Sequence, residues 1–268
     1  MIAIAQFIAI SCYLAAAALA AVPFARPVKA PVRGVSSILG LGVGAHAFAL
    51  IAFARQAEAV PLTGLGPALS FAGLVLAFTL LVVEILARDA SLTLVAAPLA
   101  AVPTACANII GLTPGRGADG ARGVWLFAHI AVSFIGIAGF ATAAAAGAMY
   151  LLQRRELRSH RFSTIFRFFP PLATLDRVNH FAAISGWLGL TLGVVLATTY
   201  SFEYHELNVP QIVWGTGAWL AVTLLAVGRM TRGWQAQRAA KYASASFVAV
   251  LVLYVAFRVV GPGAGQFL

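Results

Sequence analysis

The chain has 268 residues, of which 61% are hydrophobic and only 10% charged, and its mean hydropathy is +0.92. A soluble domain carries about 25% charged residues, so the composition excludes an ordinary water-soluble globule and points to an integral membrane protein. The formal net charge of +10 would suit nucleic acid, but the arginines stand in short stretches beside apolar runs. That is the positive-inside pattern of a membrane protein, and no nucleic-acid partner is expected.

Apolar windows mark eight candidate spans, at about 2–24, 35–55, 66–87, 91–112, 124–152, 176–200, 209–229 and 240–260. The first lacks a basic leader and is too long for the apolar core of a signal peptide, so it reads as a retained span. The connection ARDAS after Val83–Leu86 is so short that spans three and four must form an antiparallel hairpin. In that hairpin Glu84 stands four residues before Arg88, the spacing of a helical ion pair. Span five runs from Val124 to Leu152, broken only by His129, Ser133, Thr142 and small glycines. As a helix it would be about 40 Å long, against a hydrocarbon core of about 30 Å. A basic segment, RRELRSHRFSTIFR, follows it and serves as an anchor at the membrane surface.

Lysine and arginine divide unequally between the two sets of connections. Fourteen, among them Arg26, Lys29, Arg33, Arg88, Arg154, Arg155, Arg158, Arg229, Arg232 and Lys241, fall on one side; Arg55, Arg116, Arg122 and Arg258 fall on the other. This asymmetry places both termini on the non-cytoplasmic side. The expected fold is an all-α integral membrane protein, a bundle of about eight transmembrane helices in a single domain over residues 1–268, with membrane lipid around it.

Small-residue steps at Ser36/Gly40/Gly44, Gly139/Ala143/Gly147 and Ser185/Gly189/Gly193 should let backbones approach closely in lipid, or leave room for a flat ligand between helices. Cys12 and Cys106 lie in apolar segments and form no C-x-x-C pattern, so the chain is not a thiol oxidoreductase or a c-type cytochrome. Catalytic Ser/His/Asp sets, phosphate-binding loops and paired carboxylates are missing, and a turnover enzyme is not expected.

Ionisable residues inside spans are costly and are functional candidates by default. Here they are His46, Glu84, His129, His180 and Arg258. His129 shares a helical stripe with Ser133, Gly136, Phe140 and Gly147, so it should face a packed interior. Depth permits two histidine pairs: His46 with His180 toward the inside, and His129 with His205 toward the outside. Two imidazoles projecting into one apolar slot could ligate a heme iron. The other reading is that each is a hydrogen-bonded interior histidine. Arg258, near the outer end of the last span, could snorkel to the surface or pair with an acidic ligand group.

The run AHIAVSFIGIAGFATAAAAGAMYLLQRRELR, followed by FFPPLATLDRVNHFAAISGWLGLTLGVVLATTY, resembles the cytochrome c assembly membrane-protein family. The later step GWQAQRAA at Gly233 is similar to the family's entry into its last span. The resemblance runs over about residues 35–260 and is most specific from Trp125 to Gly193. It takes in the CcsA- and CcmC-type heme handlers and the HemX- and YpjD-type proteins. The tryptophan-rich WWD signature is not present: the chain reads NVPQIVWGTGAW there, and only Trp214 and Trp219 keep the tryptophan spacing. The chain therefore looks most like the HemX/YpjD-type branch.

The resemblance implies heme as cofactor and a multi-pass protein of the bacterial inner membrane that assists cytochrome c biogenesis or tetrapyrrole metabolism. Other cytochrome-assembly or redox-complex membrane proteins would be its partners. It implies His129 as the outer heme histidine and His46 as the histidine of an early span, with Trp214 and Trp219 at the family's tryptophan spacing; His180, His205 and Arg258 are further candidates from their depth in the spans and not from the resemblance. The alternative is a non-catalytic membrane regulator, or a subunit of a larger membrane redox complex, without a heme of its own.

Overall fold

The structure, a computed structural model, describes residues 1–25, 28, 31–58, 62, 64–113, 120–159, 169–205 and 209–260, apart from the side chains at 24, 25, 120, 121, 210, 255 and 257–260. The described residues are helical throughout, without strands. In chain order the helices are α1 (Ile2–Ala20), α2 (Val22–Ala25), α3 (Val32–Ala57), α4 (Leu65–Ala87), α5 (Thr93–Ile110), α6 (Gly120–Ser159), α7 (Leu172–Tyr204), α8 (Val209–Met230) and α9 (Ala236–Val260). Seven of these, all but α2 and α9, contain segments long and apolar enough to cross a membrane. The eighth expected span falls within α9. The protein is a multi-pass helical membrane protein.

Two helices are longer than their apolar cores. α6 has 40 residues, about 60 Å, so Arg154, Arg155 and Arg158 ride on its final turns rather than in a loop. α7 has 33 residues, and the segment SFEY that reads as an outer connection is its last turn. The chain divides into two compact units, Met1–Gly117 with Leu152–Thr174, and Ala118–Leu151 with Leu175–Leu268.

In the first unit α1 packs on α3 and α5, and α4 packs on α3 and α5. The α4–α5 hairpin turns as expected. Arg88 ends α4 in the left-handed conformation, and the Asp89 carboxylate accepts from the Ser91 amide at 2.8 Å and from its hydroxyl at 2.5 Å. That turn carries Arg88 away from Glu84, and the predicted i,i+4 pair does not form. Glu84, fully buried, accepts instead from Ser36 on α3 at 2.5 Å and from Thr93 on α5. A buried carboxyl must be hydrogen-bonded, and here the hydroxyls of two neighbouring helices do it. The small-residue step of α3 behaves differently from its reading. Gly44 has nothing near it, whereas Gly42 lies against Tyr13, whose ring a β-carbon would meet at 2.8 Å.

In the second unit α6 and α7 run antiparallel along a glycine seam. A β-carbon at Gly139 would stand 2.8 Å from the Gly186 backbone, and one at Gly189 2.7 Å from Gly136. The seam continues at Asn179, whose amide donates to the Ala143 carbonyl at 2.6 Å. Gly147 lies against Ala240 of α9, and the Ser244 hydroxyl donates to the Ala144 carbonyl at 3.0 Å. These glycines are therefore filled by the neighbouring helix and leave no slot for a flat ligand between α6 and α7. Without a hydrophobic drive between helices in lipid, such close van der Waals contact is what holds them together. The buried core of this unit joins Phe140, Ala183, Leu190, Val222, Leu225 and Ala243, with Trp187, Trp214, Trp219 and Trp234 packed against it.

Candidate functional site

The glycine seam brings α6 close enough to α7 for side chains of one to reach main-chain oxygens of the other. His129 does so: its Nδ1 lies 2.8 Å from the Gly193 carbonyl oxygen. A carbonyl oxygen only accepts, so Nδ1 carries the proton and Nε2 carries the lone pair. Nε2 makes no hydrogen bond among the described residues, and the residue is half-buried. Two further turns of α6 make similar contacts toward the helix start. The Trp125 indole donates to the Leu196 carbonyl at 3.0 Å, and Arg122 Nε donates to the Tyr200 hydroxyl at 2.7 Å. The Arg122 guanidinium also lies 5.6 Å and 5.0 Å from the ring centres of Tyr200 and Tyr204, within cation–π range.

Both candidate tryptophans are committed to neighbouring helices. Trp219 donates to the Thr191 hydroxyl at 3.0 Å, which sets α8 against α7 two residues from Gly193. Trp214 donates to the Val250 carbonyl of α9 at 3.2 Å, and its ring lies 5.2 Å from that of Tyr254. Arg258 lies on α9, but its side chain is outside the described residues.

The remaining histidines stand elsewhere. His205 follows directly on the end of α7, exposed and in the left-handed conformation with φ 55°. It is twelve residues beyond Gly193, about 18 Å along the helix axis. His180 is thirteen residues before Gly193, about 20 Å the other way, with its ring edge-on to Phe181 at 5.8 Å. The structure thus does not gather His129, His180 and His205 at one level.

His46 belongs to the first unit and is fully buried. Its Nδ1 lies 3.0 Å from the Tyr13 hydroxyl and its Nε2 lies 2.9 Å from the Ser70 hydroxyl. The Gln6 amide donates to that same Ser70 oxygen at 2.9 Å. Both ring nitrogens are therefore engaged, by residues of α1 and α4.

One polar cluster has no counterpart in the sequence reading. Arg229, its side chain 7% exposed, pairs with the Asp176 carboxylate at 2.5 Å. It also donates to the Asp176 carbonyl at 3.3 Å and to the Asn179 side-chain oxygen at 2.6 Å. Because Asn179 in turn reaches Ala143, one arginine ties α8 to α7 and, through it, to α6. The available signal was an aspartate and an asparagine at i,i+3 in the first turns of one span, with an arginine closing the next.

Residues 34–264 match the family of cytochrome C assembly proteins. The chain belongs to that family. A segment of 94 residues, 34% of this chain, is 30% identical to the cytochrome c biogenesis protein CcsA of Trichormus variabilis and covers 26% of it. The same protein of Microcystis aeruginosa is also 30% identical over 94 residues, 28% of its length. An 87-residue segment, 32% of this chain, is 38% identical to an uncharacterized 28.8 kDa protein in the nifR3-like 5' region of Azospirillum brasilense, covering 31% of it. The matched part is thus less than a third of each of these curated relatives. No solved structure matches.

Proposed function

We propose that the chain is a heme-handling protein of the bacterial inner membrane that assists cytochrome c biogenesis or tetrapyrrole metabolism, with both termini on the non-cytoplasmic side. The observation that carries this is the hydrogen bond from His129 Nδ1 to the Gly193 carbonyl. Histidines that ligate metals almost always donate their second ring N–H to a carbonyl, a carboxylate or water, which fixes tautomer and ring orientation. The donor set therefore fits heme at one point, an imidazole nitrogen with a free lone pair. Family membership and relatives named for cytochrome c biogenesis support the same reading.

When bound, heme supplies iron-centred redox and ligand-exchange chemistry. The chain's own residues would hold and orient it. His129 presents Nε2, and Gly193 keeps the ring from rotating. Arg122, stacked on Tyr200 and Tyr204, holds a positive charge two turns away on the same face of α6, suited to a ligand carboxylate. Cytochrome-assembly or redox-complex membrane proteins are the partner class.

The test is an absorption spectrum of detergent-purified protein, oxidised and reduced. We expect a Soret band in the wild type and its loss in His129→Ala. A wild-type protein that is colourless even after incubation with hemin would sink the heme reading and favour a heme-free regulator or complex subunit.

A further inference from the structure

We infer that His129 is a single-histidine site: a heme held there has its other axial position open to an exchangeable ligand from outside this unit. The inference rests on the heme reading above and concerns which residues of this chain ligate it. An iron ligated by two imidazoles needs a nitrogen of each ring within bonding distance of that one atom, from its two faces. Gly193 marks the level of His129, because the ring nitrogen touches its carbonyl.

α7 is helical without a break from Leu172 to Tyr204, so distances along it follow from the rise of about 1.5 Å per residue. His205 stands about 18 Å beyond that level and His180 about 20 Å before it. A histidine side chain spans only a fraction of either distance. Neither can face His129 across one iron while α7 remains a helix. The two tryptophans near that level are not ligands, since indole nitrogen carries only a donor proton. Methionine sulfur is another axial ligand, but Met149 lies on α6 twenty residues past His129, about 30 Å along the axis, and Met230 closes α8 beside the Arg229 that bonds Asp176 and Asn179.

His46 of the first unit is engaged at both nitrogens. One ring nitrogen donates to a hydroxyl and the other accepts from one, so both are committed whichever tautomer is present. Ligation through either nitrogen would strip a hydroxyl from the ring and leave a buried polar group without its partner, a costly exchange. His46 is thus spent on holding α1 and α4 to α3. Among the described residues of the second unit, no imidazole other than His129 lies at its level.

The experiment uses the full chain in detergent, loaded with hemin. Carbon monoxide is added to the reduced form and imidazole to the oxidised form. An open position predicts a carbon-monoxide adduct with a shifted Soret band and a saturable imidazole titration to a low-spin spectrum. His205→Ala, His180→Ala and His46→Gln should leave the untreated spectrum unchanged, while His129→Gly should lose it and regain it with added imidazole. Regain by imidazole separates a lost ligand from a misfolded protein. A low-spin two-imidazole spectrum that refuses carbon monoxide, and that converts on replacing His205, His180 or His46, would overturn the inference and leave the heme reading standing. A wild type that takes up no hemin would overturn both.

Discussion

His46 and His129 are the same residue type inside apolar helices, yet their surroundings give them different chemistry. His46 is fully buried between α1, α3 and α4, and each ring nitrogen faces a hydroxyl. His129 faces a backbone carbonyl on one side and, among the described residues, has nothing bonded on the other. The first is a structural crosslink; the second keeps one nitrogen for a ligand in the function proposed above. What differs is the neighbouring helix. Tyr13 and Ser70 offer side-chain hydroxyls to His46, whereas the α6–α7 seam offers His129 glycine and main-chain oxygen. A histidine in a membrane span is therefore not a site until the number of its occupied nitrogens is known.

Substitutions can break that contrast, and the largest effect should come from the inner end of the second unit. Arg229→Ala removes the cation that neutralises Asp176 and orders Asn179. Removing one member of a buried pair costs about 3–5 kcal/mol, and the partial exposure of Asp176, 35%, puts the expectation near the lower end. Thermal unfolding in detergent should show a clear drop, with Arg229→Lys recovering only part of it because a point charge does not replace the guanidinium fork. Unchanged unfolding would show that the cluster does not join α8 to α7.

Gly189→Leu should come next. Its side chain would enter the Gly136 backbone, where even a β-carbon stands at 2.7 Å. Overpacking of this kind costs about 1–3 kcal/mol. Because the seam also sets the His129–Gly193 contact, the variant should lose folded yield and hemin uptake together. Loss of yield with normal hemin uptake in the folded fraction would separate the seam from the site.

Tyr13→Phe should be the smallest. It deletes one hydroxyl from the His46 network, at about 1–2 kcal/mol for a buried partner left unpaired. A modest fall in unfolding temperature with an unaltered heme spectrum is the expected result. A changed spectrum would mean that His46 takes part in ligation and that the contrast between the two histidines is wrong.

Much of the fold was legible because the bilayer imposes simple demands. Spans must be apolar, about twenty residues long and internally hydrogen-bonded, so α1, α3, α4 and α5 fall where their apolar windows lie. The tight α4–α5 hairpin follows from five connecting residues. The ends of α6 and α7 were not legible, since an arginine-rich or a mixed polar segment continues a helix as readily as it leaves one.

For the site, sequence by itself picked out His129 and its inward stripe, because helical spacing fixes which residues share a face. It could not tell Glu84 bonded to Arg88 from Glu84 bonded to Ser36 and Thr93, nor foresee the Asp176–Asn179–Arg229 cluster. Those choices depend on which atoms other helices bring near. Nor could it show that His46 has both nitrogens occupied, or that His205 stands about 18 Å along the axis from Gly193, the residue that His129 bonds. A sequence specifies position along its own helix; only packing decides what stands across from it, and hydrogen bonding and ligation reach no further than the neighbouring side chain or carbonyl.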